Sequence, residues 1–581
     1  MLRPRSFALA TLAALLAAPA AYGQMYIDLP GTQPGGLSMG EPLDTAGNCG
    51  VSCHFSRDET VPSAMPYDGW VGSMMGNTMR DPLFLAALTV AEQDAPGVGD
   101  WCLRCHTPSG FVGGRTRSTA TASRGTELLP ADRDGVTCDS CHRMVATTNI
   151  GNAQYQFSPD NTRFGPYPTI ESIRHRGAVS DWLPRAEMCA TCHEITNPTQ
   201  PQLLADGTDT GRRFPLDSTY REWRSSVYGQ PGGANERTCQ DCHMRRFGSP
   251  TTVSTNATAL TRENPRQHFF SGANAWAIRM LGQMRQDEST GEFFAPDLAP
   301  FYELAAQRAE AQLQRALTLE VREAPTEARP GETVTLVARI TNRAGHRLPT
   351  GYADGRRVWL EVAVVEQGGR ETVVSGVYDG AMAHLDEDPQ LKVYEAHMGR
   401  AGMGVTSHIA LQNTVVSDTR LPPRGYRPPP GLEPVGADYS GGEDGALRHW
   451  DDARYSVTIP ATARGPVTLR VRARYQSTTR EYVEHLAEAN RTDDTGRELL
   501  RRYEASGRAA PFTMAEATAE VITPGGATDA GAGSDASTAG DGGVGIDGRD
   551  RHAGEHAGGA DQGEGAARQR PRVRTGGMCA W

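Results

Sequence analysis

Lysine is all but missing from this 581-residue chain: Lys392 is the one example, and nearly all other positive charge is arginine. The net charge is −11, so no basic surplus exists to meet phosphates, and a nucleic-acid partner is excluded. Long apolar runs are missing as well; beyond the amino terminus no stretch is greasy enough to cross a bilayer. Apolar residues make up 38%, somewhat low for a chain long enough to form more than one domain. No cysteine falls between Cys242 and Cys579, which confines thiol chemistry to the first half apart from one leftover in the tail.

The amino terminus opens with Arg3 and Arg5, runs through an apolar stretch from Phe7 to Ala18, and closes on Ala20, Ala21 and Gly23. That is the layout of a secretory signal peptide over residues 1–23, cut after Gly23 or alternatively after Ala20. The mature chain is therefore expected outside the cytoplasm, in the periplasm or at the outer cell surface, soluble or held peripherally.

Eleven cysteines in an exported chain suggest disulfides, but their spacing argues otherwise. Cys102, Cys105 and His106 read C-x-x-C-H, as do Cys138, Cys141 and His142, then Cys189, Cys192 and His193, then Cys239, Cys242 and His243. Cys49, Cys53 and His54 form the looser C-x-x-x-C-H. Two thiols at this spacing add across the vinyl groups of haem, and the adjacent histidine sits beneath the iron as proximal ligand. A histidine after each of the five pairs excludes zinc-ribbon or thioredoxin chemistry. Five covalently bound c-type haems are expected, and they would supply the apolar bulk that the composition lacks.

Gly, Pro, Asn and Ser clusters between the motifs, such as Phe164-Gly165-Pro166, predict short helices joined by loops. The expected architecture is a loop-rich, mainly α pentahaem module over residues 24–293, followed by a linking helix at 294–317. Alternating runs such as Val334–Ile340, Val358–Val364, Tyr455–Ile459 and Val467–Val471 then predict an antiparallel β-sandwich over 318–523. Residues 524–581 are rich in Gly, Ala, Asp and Ser and are expected to be disordered.

Function turns on what fills the sixth position of each iron. Two protein ligands make an electron carrier, whereas an open face allows binding of a small molecule. Of the histidines outside the motifs and tail, His175 lies within the haem-dense stretch, His268 adjoins two bulky rings, and His346 sits in a loop between strands. These three are the leading distal candidates. His397 and His408 are weaker ones, while His384, His449 and His485 read as surface residues. Met74, Met75 and Met79 are either further ligands or flexible gap-fillers.

Gly135-Val136-Thr137-Cys138-Asp139-Ser140-Cys141-His142, Cys189-Ala190-Thr191-Cys192-His193-Glu194, and Tyr220-Arg221-Glu222-Trp223 ahead of the fifth motif resemble the bacterial multihaem cytochromes c. That class includes the nitrifiers' tetrahaem cytochrome and hydroxylamine oxidoreductase. Similar proteins pair such a module with a β-domain bearing a Gly-His-x-x-Pro-x-Gly loop, as around His346. The resemblance spans residues 45–515 and implies haem binding rather than a particular reaction. Pentahaem nitrite reductases use C-x-x-C-K at the active haem; every motif here ends in histidine, so that activity is not implied. The expected function is electron transfer between extracytoplasmic redox partners, other cytochromes among them. The alternatives are an oxidoreductase with one open haem acting on a small nitrogen or sulfur compound, and a β-domain that mainly binds a surface polymer or another subunit.

Overall fold

The computed structural model describes residues 29–37, 42–56, 64–116, 127–168, 172, 174–256, 259–289 and 297–524. The signal-peptide segment, Cys579 and nearly all of the tail lie outside these residues.

In the first half the motifs themselves dictate the local structure. Residues three and four apart share a face of a helix, so a single turn aims both thiols and the following histidine to one side. Cys138–His142 and Cys239–His243 are such one-turn helices, each started by a capping box, Thr137 with Ser140 and Thr238 with Asp241. The first motif carries one residue more. There the helix Ala46–Cys49 runs into a π turn, Gly50–His54, which takes an extra residue per turn and so absorbs the insertion.

Longer helices brace these turns. Pro82–Asp94 begins where Asp81 accepts the Leu83 N–H and Pro82 occupies the first turn. Ala275–Ser289 packs beside Ala299–Leu313, with Arg279 bridging to Glu303 at 2.9 Å and Glu310 at 2.5 Å. The expected linking helix thus ends at Leu313; Leu317 already belongs to a strand, and the helix is half of a packed pair rather than a bare connector.

The second half is built on two antiparallel sheets. The first orders β5 (Trp450–Thr458), β2 (Thr333–Asn342) and β1 (Leu317–Glu323). The second orders β4 (Glu371–Ser375), β3 (Arg357–Glu366), β6 (Val467–Gln476) and β7 (Phe512–Val521), with Val393–Tyr394 also pairing β3. Alternation in β5 and β6 buries one face only, whereas β3 is buried along most of its length, matching its nearly unbroken apolar run. Leu336, Ala338 and Ile340 from one sheet meet Leu360, Val362, Leu469 and Val471 from the other in one core.

Two helices interrupt the expected all-β stretch, Arg480–Ala489 and Thr495–Ala505. Their apolar faces do not cover the sheets alone. Tyr482, Val483, Leu486, Leu499 and Tyr503 pack with Ala86 and Val90 of helix Pro82–Asp94, joining the halves through a shared apolar cluster. Among the described residues no helix is long and apolar enough to cross a membrane.

Leu360 is fully buried between the sheets. Leu360→Ala is expected to lower unfolding stability by about 2–5 kcal/mol in denaturant titrations. Met403→Ala, at a site 73% exposed, should change it by less than about 0.5 kcal/mol.

Candidate functional site

Cysteine is ordinarily among the most completely buried residues. Here Cys49, Cys53, Cys102, Cys105, Cys138, Cys141, Cys189, Cys192 and Cys239 are free thiols and all only half-buried. The motifs adjoin one another: Cys49 meets Cys138, Cys105 meets Cys192, and Cys189 meets Cys239. Cys141 also lies within reach of the charge on Cys192. The first motif thus touches the third, the fourth touches both the second and the fifth, and the third lies near the fourth.

The histidines that end the motifs are held from behind by backbone. His54 Nδ1 donates to the Val253 carbonyl at 2.6 Å, His142 Nδ1 to Phe164 at 2.7 Å, and His243 Nδ1 to Ser271 at 2.6 Å. A carbonyl only accepts, so in the neutral ring Nδ1 carries the proton and Nε2 is left with a free lone pair. Burial lowers His142 and pushes His243 down to about 4, so both are neutral at pH 7. His193 differs: burial would lower it, but the Asp217 carboxylate, 3.6 Å from Nδ1, raises it to about 9. His106 differs again. Burial pushes it down to about 3, its ring lies on Phe84 with centroids 3.6 Å apart and planes 3° from parallel, and its buried Nδ1 has no hydrogen-bond partner.

Two of the three leading distal candidates face a motif histidine. The ring centroids of His142 and His268 are 6.2 Å apart, and those of His243 and His346 are also 6.2 Å apart. Two metal–nitrogen bonds of about 2 Å, plus about 1 Å from each nitrogen to its ring centre, put two imidazoles on one metal about 6 Å apart. The spacing of both pairs therefore fits a shared iron. Burial pushes His268 down to about 3, leaving it neutral like its partner. His175 is half-buried and within reach of the charge on His54, but its Nδ1 rests on the adjacent Arg176 carbonyl at 3.2 Å and its ring faces no motif histidine. Among the described residues His54, His106 and His193 face no second imidazole.

The remaining histidines have other partners. His397 bonds Glu395, His408 bonds Asp94 and packs edge-on against His485, His384 bonds Glu481, and His449 packs against Trp450. Met79 is buried beside Leu103 and Cys102 at the second motif, while Met74 packs between the paired helices.

One short segment serves both facing pairs. Residues 267–271 present His268 to His142 and, through the Ser271 carbonyl, orient His243. Gly69 of helix Pro66–Val71 abuts this segment: a Cβ there would lie 2.8 Å from the His268 carbonyl carbon and 2.9 Å from the Phe269 nitrogen.

His346 is placed by residues that the motif reading did not single out. Glu222, on helix Thr219–Arg224 of the first half, accepts the Arg347 backbone N–H at 3.1 Å and the Thr350 hydroxyl at 2.6 Å. Arg347 in turn pairs with Asp418 and Tyr426, and Arg420 with both Asp418 at 2.6 Å and Glu222 at 3.4 Å. Burial alone would raise the Asp418 carboxyl, but Arg347 and Arg420 outweigh it and hold it below its ordinary range. Asn342 donates to the His346 carbonyl at 2.9 Å and to Leu421 at 2.9 Å, fixing the loop from its other side. The only sequence signal for this cluster was an acid placed ahead of the fifth motif.

No protein-family model matches the chain, and no curated protein matches it. Among solved structures the chain is similar to a penta-heme cytochrome c552 from Thermochromatium tepidum. Identity is 16%, covering 78% of this chain and 95% of that chain, with a TM-score of 0.45. It also matches a Pseudomonas fluorescens alkylpurine DNA glycosylase bound to DNA containing an abasic site analogue, at 10% identity over 42% of this chain and 47% of that chain, with a TM-score of 0.13. Both scores are too low for either likeness to bear on the site.

Glu222 is 1% exposed and sits against two arginines. Glu222→Ala would strand those charges, and the expected loss is about 3–5 kcal/mol in equilibrium unfolding. Wild-type stability in this variant would show that the cluster does not join the two halves.

Proposed function

We propose that this chain is an exported pentahaem c-type cytochrome that carries electrons between extracytoplasmic redox partners. The carrying observation is the 6.2 Å facing of His142 with His268 and of His243 with His346, on motifs with haem-attachment spacing. When bound, haem supplies an iron that takes up and releases one electron at a time. The chain's own residues do the rest. The ten motif cysteines would hold five haems as thioethers, with His54, His106, His142, His193 and His243 as proximal ligands. The facing imidazoles of His268 and His346 would close two sites to small molecules, which suits transfer rather than catalysis. Backbone carbonyls hold Nδ1 of three motif histidines and so aim Nε2.

Adjoining motifs make the steps between sites short, in the order first, third, fourth, fifth, with the second branching at the fourth. The two sheets read as the layers of a β-sandwich over residues 318–523, beside a pentahaem domain over 24–293. A sandwich loop supplies His346. Export to the periplasm or outer surface rests on the amino-terminal segment alone, and redox proteins, including other cytochromes, are the partners this reading implies.

One observation favours a second reading. His106 faces no imidazole among the described residues and its Nδ1 lacks the backbone partner that anchors His54, His142 and His243. A haem at that motif with an open face would bind a small nitrogen or sulfur compound. His54 and His193 also lack a facing ring, so the electron-transfer reading stands first.

Intact mass of the exported protein should give five haems per chain. Electron paramagnetic resonance of the oxidised protein should show low-spin signals, and His346→Ala should turn one of them high-spin without losing haem. A chain that binds no haem, or haems that are not reversibly reduced, would overturn the proposal. A high-spin signal in the wild type that moves with nitrite, hydroxylamine or sulfite would favour the second reading.

A further inference from the structure

Most arginines near the motifs have an acid or a carbonyl to answer their charge: Arg163 pairs with Asp139, Arg221 with Glu194 and Arg266 with Asp241. Three do not. Arg245 follows His243 by two residues, Arg308 lies on helix Ala299–Leu313, and Arg315 follows that helix. All three are half-buried, and no carboxylate pairs with any of them among the described residues. Arg315 Nε is buried with no hydrogen-bond partner. The acids that could have served are engaged, since Glu303 and Glu310 of the same helix both bind Arg279.

Position makes these charges informative. The Arg308 guanidinium lies 5.3 Å from the Phe269 ring centre, and Phe269 is next to His268. Gln267 donates its backbone N–H to the Arg245 carbonyl at 2.8 Å, so Arg245 flanks the same segment. Arg315 precedes Ala316, whose carbonyl accepts the Arg343 N–H at 2.8 Å at the start of the loop that carries His346. The triad therefore borders both facing pairs. Its members also repel one another: burial first, then the charges of Arg245 and Arg308, depresses Arg315, and Arg308 is depressed likewise by burial and Arg245. A fold that gathers three cations without an anion is built to receive one.

We propose that Arg245, Arg308 and Arg315 form a carboxylate-binding site that takes the propionates of the haems at the His142–His268 and His243–His346 pairs. This rests on the proposed cofactor content. Haem carries two carboxylates on the edge away from its thioethers, and guanidinium pairs with carboxylate in a fixed two-pronged geometry. The alternative source of the same chemistry is a free anion from solution, and the two separate experimentally.

The test uses the haem-loaded full chain, counted by intact mass, as wild type, Arg308→Gln with Arg315→Gln together, and Arg322→Gln as a control on exposed strand β1. Resonance Raman reads the propionate bending bands, and potentiometry reads the midpoints. In the double variant a propionate band should shift and one midpoint should fall, because a cation that favoured the reduced state is gone; the control should match wild type. Inorganic phosphate should leave the wild-type bands unmoved. Propionate bands that are identical in wild type and double variant, at full haem count, would sink this site alone. Wild-type midpoints that move on phosphate addition would assign the triad to a free anion and also overturn it. A wild-type chain without haem would instead bring down the function it rests on.

Discussion

A neutral cluster of four buried charges holds this molecule's most demanding piece of geometry. Glu222 comes from the first half, and Arg347, Asp418 and Arg420 come from the second, all within 6% exposure. Taken separately, each ion would be costly to remove from water; together the set cancels and leaves few donors unmet. Arg347 is the residue after His346, so the ions that join the halves also set the separation of His346 from His243. Moving the loop by an ångström would cost the cluster its hydrogen bonds before it cost the ring its place.

The same economy of means recurs at His268. Only two residues separate the ring that faces His142 from the carbonyl that orients His243, so the two pairs are tied to one segment. Burial lowers His142, His243 and His268 toward the neutral form that a metal ligand would need, while the backbone carbonyls behind His142 and His243 fix which nitrogen carries the proton. Geometry and protonation are thereby set by the same packing.

Much of this was legible in the sequence, because the haem attachment we propose would leave a fixed signature. The five motifs stand at a spacing that the chemistry requires, and the main strands follow from period-two alternation in runs such as Val467–Val471. The helices Arg480–Ala489 and Thr495–Ala505 were not read, although their composition turns to Glu, Ala, Leu and Arg after the strand; they bury their apolar faces against a helix nearly 400 residues upstream, as the Gln93–Ala489 hydrogen bond with a separation of 396 records. Glu222 was named only within the Tyr220–Trp223 resemblance; its pairing with Arg347, 125 residues away, went unread, since no local pattern announces a pairing at that range. His268 and His346 were named from their surroundings, aromatic neighbours for one and a loop between strands for the other. His175 was named from the density of motifs; it lies near His54, with its Nδ1 on the Arg176 carbonyl.

The π turn at the first motif has a developmental consequence when set beside the loop of His346. A chain made from its amino end presents Cys49, Cys53 and His54 within one local turn, although the Val253 carbonyl that holds His54 follows with a separation of 199. The fifth motif is different, because the ring that faces His243 emerges only after the first sheet has begun to form. On the proposed function the order of synthesis would become an order of maturation, with the His243–His346 centre closed only by a chain that has been built and folded through its second half.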